Sequence, residues 1–140
     1  MNITEMYGLP FVSIQIEFRG QKVNLPNVLL DTGSASTLLN AGVVREIGMV
    51  PEENDVVNII RGVGGIEYVY TKLLDSITVD GALLHNFEIE IGNMDYGLEL
   101  DGILGFNFMS QTGETESTCF FSQNSSILRH VTKGDLLTIG

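Results

Sequence analysis

The chain is poor in the residues that build disulfides and zinc centres. It has one cysteine, Cys119, which excludes a disulfide within the chain. Its two histidines, His85 and His130, lie far apart and lack the spacing of zinc ligands. We therefore expect no metal site.

Long apolar segments are missing as well. The sequence contains neither an apolar signal segment nor a run of about 18 apolar residues, the length that a membrane-spanning helix needs. We expect no membrane insertion, and the cytoplasm is the simplest location.

Basic residues are scarce. Seven lysines and arginines stand against 18 acidic residues, which gives a formal net charge of -11. Phosphate backbones and anionic membrane surfaces are therefore poor partners, and we expect no nucleic-acid binding. The same charge repels a second copy of the chain, so any homodimer should tighten when salt is added.

The composition is that of a compact β protein. Hydrophobic residues make up 44% of the 140 residues and charged residues 18%, while 16 glycines accompany many Val, Ile, Leu and Thr residues. This length favours one domain over residues 1–140.

The stretch formed by residues 28–36 holds the most informative motif. Residues 28–30 are apolar and predict a buried strand, and Gly33 allows a sharp turn directly after Asp31. Thr32 and Ser34 place hydroxyl groups on either side of the acid. Asp-Thr-Gly also suits an ordinary turn. The motif alone therefore does not decide whether Asp31 is a catalytic acid or a turn residue.

Hydrophobic alternation predicts strands around this turn. Residues 11–18 and 22–25 form a hairpin before Pro26 and Asn27 break the pattern, and residues 41–49 form a short helix capped by Asn40. The acidic residues 51–55 are expected to form a solvated loop.

A glycine-rich hairpin follows. Residues 56–60 and 66–71 predict two strands, joined by a tip that contains Gly62, Val63, Gly64 and Gly65. Such a tip suits a flap over a cleft, although a mobile hairpin without function has the same composition. The glycine spacing fails the nucleotide-binding templates, so we expect no cofactor.

Three further strand patterns complete this part of the chain. Asp80-Gly81 predicts a tight turn between residues 76–79 and 82–84. Residues 87–91 alternate, with Glu88 and Glu90 expected to face water, and residues 101–108 predict an apolar strand ended by glycine.

Three motifs thus stand in order: Leu30-Asp31-Thr32-Gly33-Ser34, the glycine-rich tip, and Ile103-Leu104-Gly105. In this arrangement the chain resembles the retropepsin-like aspartic proteases, single-domain relatives of pepsin that include retroviral proteases and bacterial homologues. The resemblance covers about residues 9–109, and residues 110–140 form a divergent C-terminal segment.

The resemblance implies an all-β fold, a closed antiparallel β-barrel of the acid-protease type with one short helix. It implies a homodimer in which each chain gives half of the active site. Asp31 matches the catalytic carboxylate, and Thr32 the residue whose hydroxyl grips the partner chain. Gly33 matches the residue that permits the turn, and Ser34 the one that hydrogen-bonds the outer carboxylate oxygen.

Two other motifs receive roles from the same resemblance. Gly62, Val63, Gly64 and Gly65 match the flap that binds substrate. Ile103, Leu104 and Gly105 match the segment that passes beneath the catalytic loop, and Asn107 is expected to be structural. Residues 110–126 are polar and do not match the helix and interface strand that the family has there.

The number of motifs fits an aspartic endopeptidase assembled from two chains. Two carboxylates that share one proton can hydrolyse a peptide bond without a metal. Because the chain contains one Asp-Thr-Gly, the second acid must come from another copy. The expected substrate is a peptide or protein.

The alternative is a catalytically silent dimer of the same fold that acts as a protein- or peptide-binding module. A purely structural β domain leaves the three motifs unexplained.

Overall fold

The structure, a computed structural model, describes residues 3–62, 65–94 and 99–112. Its strands, numbered along the chain, are β1 (Thr4–Met6), β2 (Leu9–Phe18), β3 (Gln21–Leu30), β4 (Leu38–Asn40), β5 (Val57–Gly62), β6 (Gly65–Val79), β7 (Ala82–Gly92) and β8 (Gly102–Leu104). Two short helices accompany them, α1 (Ala41–Val44), which continues as a 3-10 turn over Arg45–Ile47, and α2 (Phe106–Gln111).

The strands form one eight-stranded sheet in the order β1-β2-β3-β8-β4-β7-β6-β5, and β2 also pairs with β6. The prediction of a mostly β protein with a short helix is confirmed. The prediction of a purely antiparallel sheet is wrong, because β3 pairs with β8 and β4 with β7 in parallel. Neither parallel pair is consecutive in sequence, so the chain can return to the same end of the sheet before each pairing.

Two strands are longer than the sequence pattern predicts. β3 runs through Pro26 and Asn27 because the β2–β3 register shifts between Val12 and Ile14, which leaves an extra residue in β3. Pro26 is exposed there, and such a bulge tolerates its missing N–H group. β6 joins residues 66–71 and 76–79 into one strand of 15 residues.

The local turns follow the sequence closely. Asp80 and Gly81 both have positive φ, 50° and 80°, and connect Val79 to its partner Ala82. The side chain of Asn40 accepts a hydrogen bond from the Gly42 N–H at 3.0 Å, which caps α1 as predicted. Residues 106–108, predicted as strand, belong instead to α2, so β8 ends at Leu104.

The sheet packs apolar side chains into two clusters. The larger core contains Leu30, Leu39 and Leu104, and the smaller one contains Leu29, Leu38 and Ile103. Because successive side chains of a strand point to opposite faces, the two clusters occupy the two faces of β3, β8 and β4. No helix in the described part of the chain is both long and apolar enough to cross a membrane.

The acidic loop of residues 51–55 is exposed over residues 51–54, as predicted, and it is also anchored by ion pairs that the sequence pattern did not indicate. The ammonium group of Lys72, on β6, lies 2.5 Å from a Glu52 carboxylate oxygen and 2.8 Å from one of Asp55. Arg19 reaches the same Glu52 at 2.8 Å. The Lys72 side chain is 4% exposed, so its burial requires these carboxylates.

Candidate active site

Asp31 stands where β3 ends beside β8. Its N–H donates to the Leu104 carbonyl at 3.0 Å, which extends the parallel pairing of the two strands by one bond. The chain then turns, and the Ser34 N–H donates to the Asp31 carbonyl at 3.3 Å. The turn therefore places the acid next to the paired strands.

The Asp31 carboxyl group is buried and only half satisfied. Oδ1 accepts a hydrogen bond from the Gly33 N–H at 3.0 Å, whereas the buried Oδ2 has no partner among the described residues. Burial raises the pKa of Asp31 above its usual value, and the Gly33 hydrogen bond opposes this shift. The buried carboxyl group is therefore more readily protonated than an exposed aspartate.

The turn lies against the segment that follows β8. The Phe106 N–H donates to the Ser34 carbonyl at 2.7 Å. A Cβ atom at Gly105 would overlap the Ser36 carbonyl oxygen and lie 2.9 Å from the Ser34 carbonyl oxygen. Glycine is therefore required at this position, where two main chains meet.

Thr37 ties the same two segments together, and the sequence analysis did not identify it. Its buried hydroxyl donates to Asn107 Oδ1 at 2.8 Å and accepts from the Gly105 N–H at 3.1 Å. The Asn107 amide group also donates to the Glu88 carbonyl at 3.4 Å, which gives Asn107 a structural role. A threonine at the start of an apolar strand was the available signal, because a buried hydroxyl needs a partner.

A family profile described as aspartyl protease matches residues 14–108, more than half of the chain, from β2 into α2. The chain belongs to the aspartyl protease family. The match confirms the resemblance to retropepsin-like proteases that the three motifs indicate. No curated protein matches the chain.

In this member of the aspartyl protease family, the remaining turn residues lie around Asp31. Thr32 and Ser34 are half-buried and Gly33 is exposed. The Ser34 hydroxyl donates to the Ser36 carbonyl at 2.7 Å and not to Asp31 Oδ2. Ile103 and Leu104 pair with Leu29 and Leu30, so the third motif runs directly beside the strand that carries the acid.

The glycine-rich hairpin forms as predicted up to its tip. β5 and β6 pair from Val57 with Tyr70 to Gly62 with Gly65. Val63 and Gly64 lie outside the described residues, and the role of the tip as a flap stays a prediction. Within the described ranges, no group of three or more His, Cys, Asp or Glu side chains could hold a metal ion.

One polar contact near the turn departs from the sequence analysis. Glu90, predicted to face water, is half-buried and accepts a hydrogen bond from the Ser36 hydroxyl, with 2.5 Å between Oγ and Oε1. Glu88, two residues earlier on β7, is exposed as predicted. The contact links β7 to the loop that carries Asp31.

Proposed function

We propose that this chain is an aspartic endopeptidase that hydrolyses peptide bonds with two Asp31 carboxyl groups, one from each chain of a homodimer. The observation that supports this most is the Asp31 carboxyl group, which is buried with Oδ2 unpartnered among the described residues. The chain has a single Asp-Thr-Gly motif, so a second copy is the source of the matching acid.

The chemistry follows from two adjacent carboxyl groups that share one proton. The ionised carboxylate accepts a proton from water as the water oxygen attacks the peptide carbonyl carbon. The protonated partner donates to the carbonyl oxygen. When the C–N bond breaks, the leaving nitrogen takes a proton from the dyad and the dyad takes one back from a hydroxyl of the tetrahedral intermediate, which becomes the new carboxyl group. The two acids are then singly protonated again. The raised pKa of Asp31 suits the group that holds the proton.

The proposed substrate lies as an extended strand between the two acids and the β5–β6 hairpin. Gly62 to Gly65 form the flap in this arrangement, with main-chain groups that approach the peptide closely. Thr32 contacts the partner chain beneath the acids. The pairing of β6 with β2 supports a sheet that closes into a barrel around the larger core.

Replacement of Asp31 by asparagine tests the proposal directly. Asp31→Asn keeps the size of the side chain and removes the acid, so we expect cleavage of a decapeptide library to fall at least about a thousandfold. Asp75→Asn makes the same change at an exposed carboxyl and should retain wild-type activity. Full cleavage by a pure, folded Asp31→Asn sample contradicts the proposal.

The pH profile provides a second measurement. Activity should be highest below neutral pH, because one of the two acids must hold a proton. A rate that still rises above about pH 8 is inconsistent with a carboxyl dyad. Binding of a pepstatin-type inhibitor or of library peptides without any cleavage would instead identify a catalytically silent binding module.

A further inference from the structure

A cavity of about 350 Å³ lies where β6 changes its partner strand. From Gly65 to Tyr70, β6 pairs with β5, and from Tyr70 onward it pairs with β7. The end of β7 pairs instead with β4, through Gly92. The sheet therefore forks at Tyr70. The space in the fork is lined by α1, the 3-10 turn, residues 49–51, both strands of the β5–β6 hairpin and residues 92–93.

The buried part of the cavity wall is apolar, and the polar side chains lie in its exposed part. Met49 and Val69 are 1% exposed and Tyr70 is 8% exposed. The Tyr70 hydroxyl is already bonded, since it donates to the Met49 carbonyl at 3.3 Å. Arg45 and Asn93, which also line the cavity, are exposed. Such a wall suits a ligand with an apolar body and one polar end.

Arg45 is the one charged residue among the described lining residues, and it forms no ion pair with any of the described residues. Its planar guanidinium group can bind a carboxylate through two parallel hydrogen bonds. The net charge of -11 repels small anions from the molecule as a whole, so the charge of Arg45 alone is a weak attraction. A ligand that combines a carboxylate with an apolar body uses both the cation and the buried wall.

We infer that this cavity binds a small organic monocarboxylate with an apolar body of about eight carbon atoms, whose carboxylate pairs with Arg45. A water molecule takes about 30 Å³ of liquid volume, so the cavity has room for roughly a dozen non-hydrogen atoms. None of the described lining residues belongs to the Asp31 turn, to β8 or to α2. The site is therefore separate from the proposed catalytic centre, and the inference does not depend on the proposed function.

A ligand in the cavity contacts both the hairpin and the rest of the sheet. Val57 lines the cavity from β5, and Ala41 lines it from α1. A ligand that touches both elements restrains the hairpin relative to α1. Binding should therefore slow the hydrogen exchange of the backbone amides in β5 and in its partner segment of β6.

Calorimetric titration with three small molecules tests the inference. Octanoate should bind with a dissociation constant of about 0.1–1 mM. 1-Octanol keeps the apolar body and lacks the charge, so it should bind at least about threefold more weakly. Acetate keeps the charge and lacks the body, and it should not bind detectably below about 10 mM. Octanoate that binds no more tightly than 1-octanol, or not at all, overturns the inference.

Substitution of Arg45 provides the second test. Arg45→Gln should weaken octanoate binding about threefold to tenfold. Lys22→Gln, which removes an exposed cation on β3, should keep the wild-type affinity. Arg45→Glu should bind octylammonium in place of octanoate, a result that an unfolded variant cannot give. Equal octanoate affinities of Arg45→Gln and Lys22→Gln overturn the inference, as does binding that leaves hydrogen exchange in β5 unchanged.

Discussion

At the scale of single residues, the site depends on how closely two main chains approach at Gly105. The position needs no unusual backbone angle, since Gly105 has φ of -95°. Glycine is required because the carbonyl groups of Ser34 and Ser36 occupy the space that a side chain at this position would need. The Phe106–Ser34 hydrogen bond and the Thr37–Gly105 hydrogen bond form only at this separation.

Gly105→Ala should therefore destabilise the chain. The added methyl group forces the Asp31 loop and the segment after β8 apart, and we expect a loss of about 2–4 kcal/mol in the free energy of unfolding, measured by urea denaturation. Gly42→Ala is the matched control. Its Cβ would lie 3.5 Å from Asn40 Oδ1 within α1, so its free energy of unfolding should change by less than about 1 kcal/mol. Equal stability of the two variants contradicts a tight approach at Gly105.

At the scale of elements, Lys72 fastens the loop that leads into the β5–β6 hairpin. Burial alone lowers the pKa of Lys72, but the hydrogen bonds that its ammonium group donates to Asp55 and Glu52 outweigh this effect and raise the pKa above the usual value. Hydrogen bonds from Lys72 and Arg19 lower the pKa of Glu52 from 4.5 to about 2. The loop of residues 51–55 is thereby fixed to β6 on one side of the hairpin.

Lys72→Met should cost about 1–3 kcal/mol in the free energy of unfolding near neutral pH, because it leaves the Asp55 carboxylate in a partly buried position without its cation. Urea denaturation measures this, with exposed Lys22→Met as the control that should change little.

The pH dependence of that difference has a definite sign. A carboxyl group with a lowered pKa stabilises the fold above its unfolded value and loses the effect on acidification. The contribution of Glu52 is thus complete above about pH 4.5 and disappears as the pH falls through about 2. A difference between wild type and Lys72→Met that is the same at both ends of this window argues against the ion pairs.

The elements also show which features a sequence can predict. The Asp31 turn, the Asn40 cap and the Asp80-Gly81 hairpin depend on neighbouring residues, and each was predictable. The parallel pairings, the Lys72 ion pairs and the Ser36–Glu90 contact join residues 17 to 74 positions apart, and no local pattern encodes them. β3 continues through Pro26 for the same reason, since its register is set by β2.

At the scale of the whole molecule, electrostatic repulsion opposes the proposed dimer. Two copies bring a formal charge of -11 each to one interface. Salt screens this repulsion and leaves apolar contacts in place. Exposed apolar side chains such as Tyr7 and Phe106 are available for such contacts.

We therefore expect the dimer to tighten as salt increases. Between about 0.05 M and about 0.5 M NaCl, the dissociation constant measured by sedimentation should fall about threefold to tenfold. Asp31→Asn should dimerise at least as well, because it removes one buried acid from each chain. A strict monomer at every concentration and salt level leaves Asp31 without its partner and removes the proposed mechanism.

Asp31 Oδ2 has no partner among the described residues, and if a second chain supplies that partner, activity depends on the chain concentration. In the proposed enzyme each chain carries half of a reaction centre, so in dilute solution the number of working centres falls with the square of the chain concentration. The activity per chain therefore falls as the solution is diluted. A chain that dimerises but lacks the acid acts as an inhibitor, because each mixed dimer contains an intact chain that cannot catalyse the reaction.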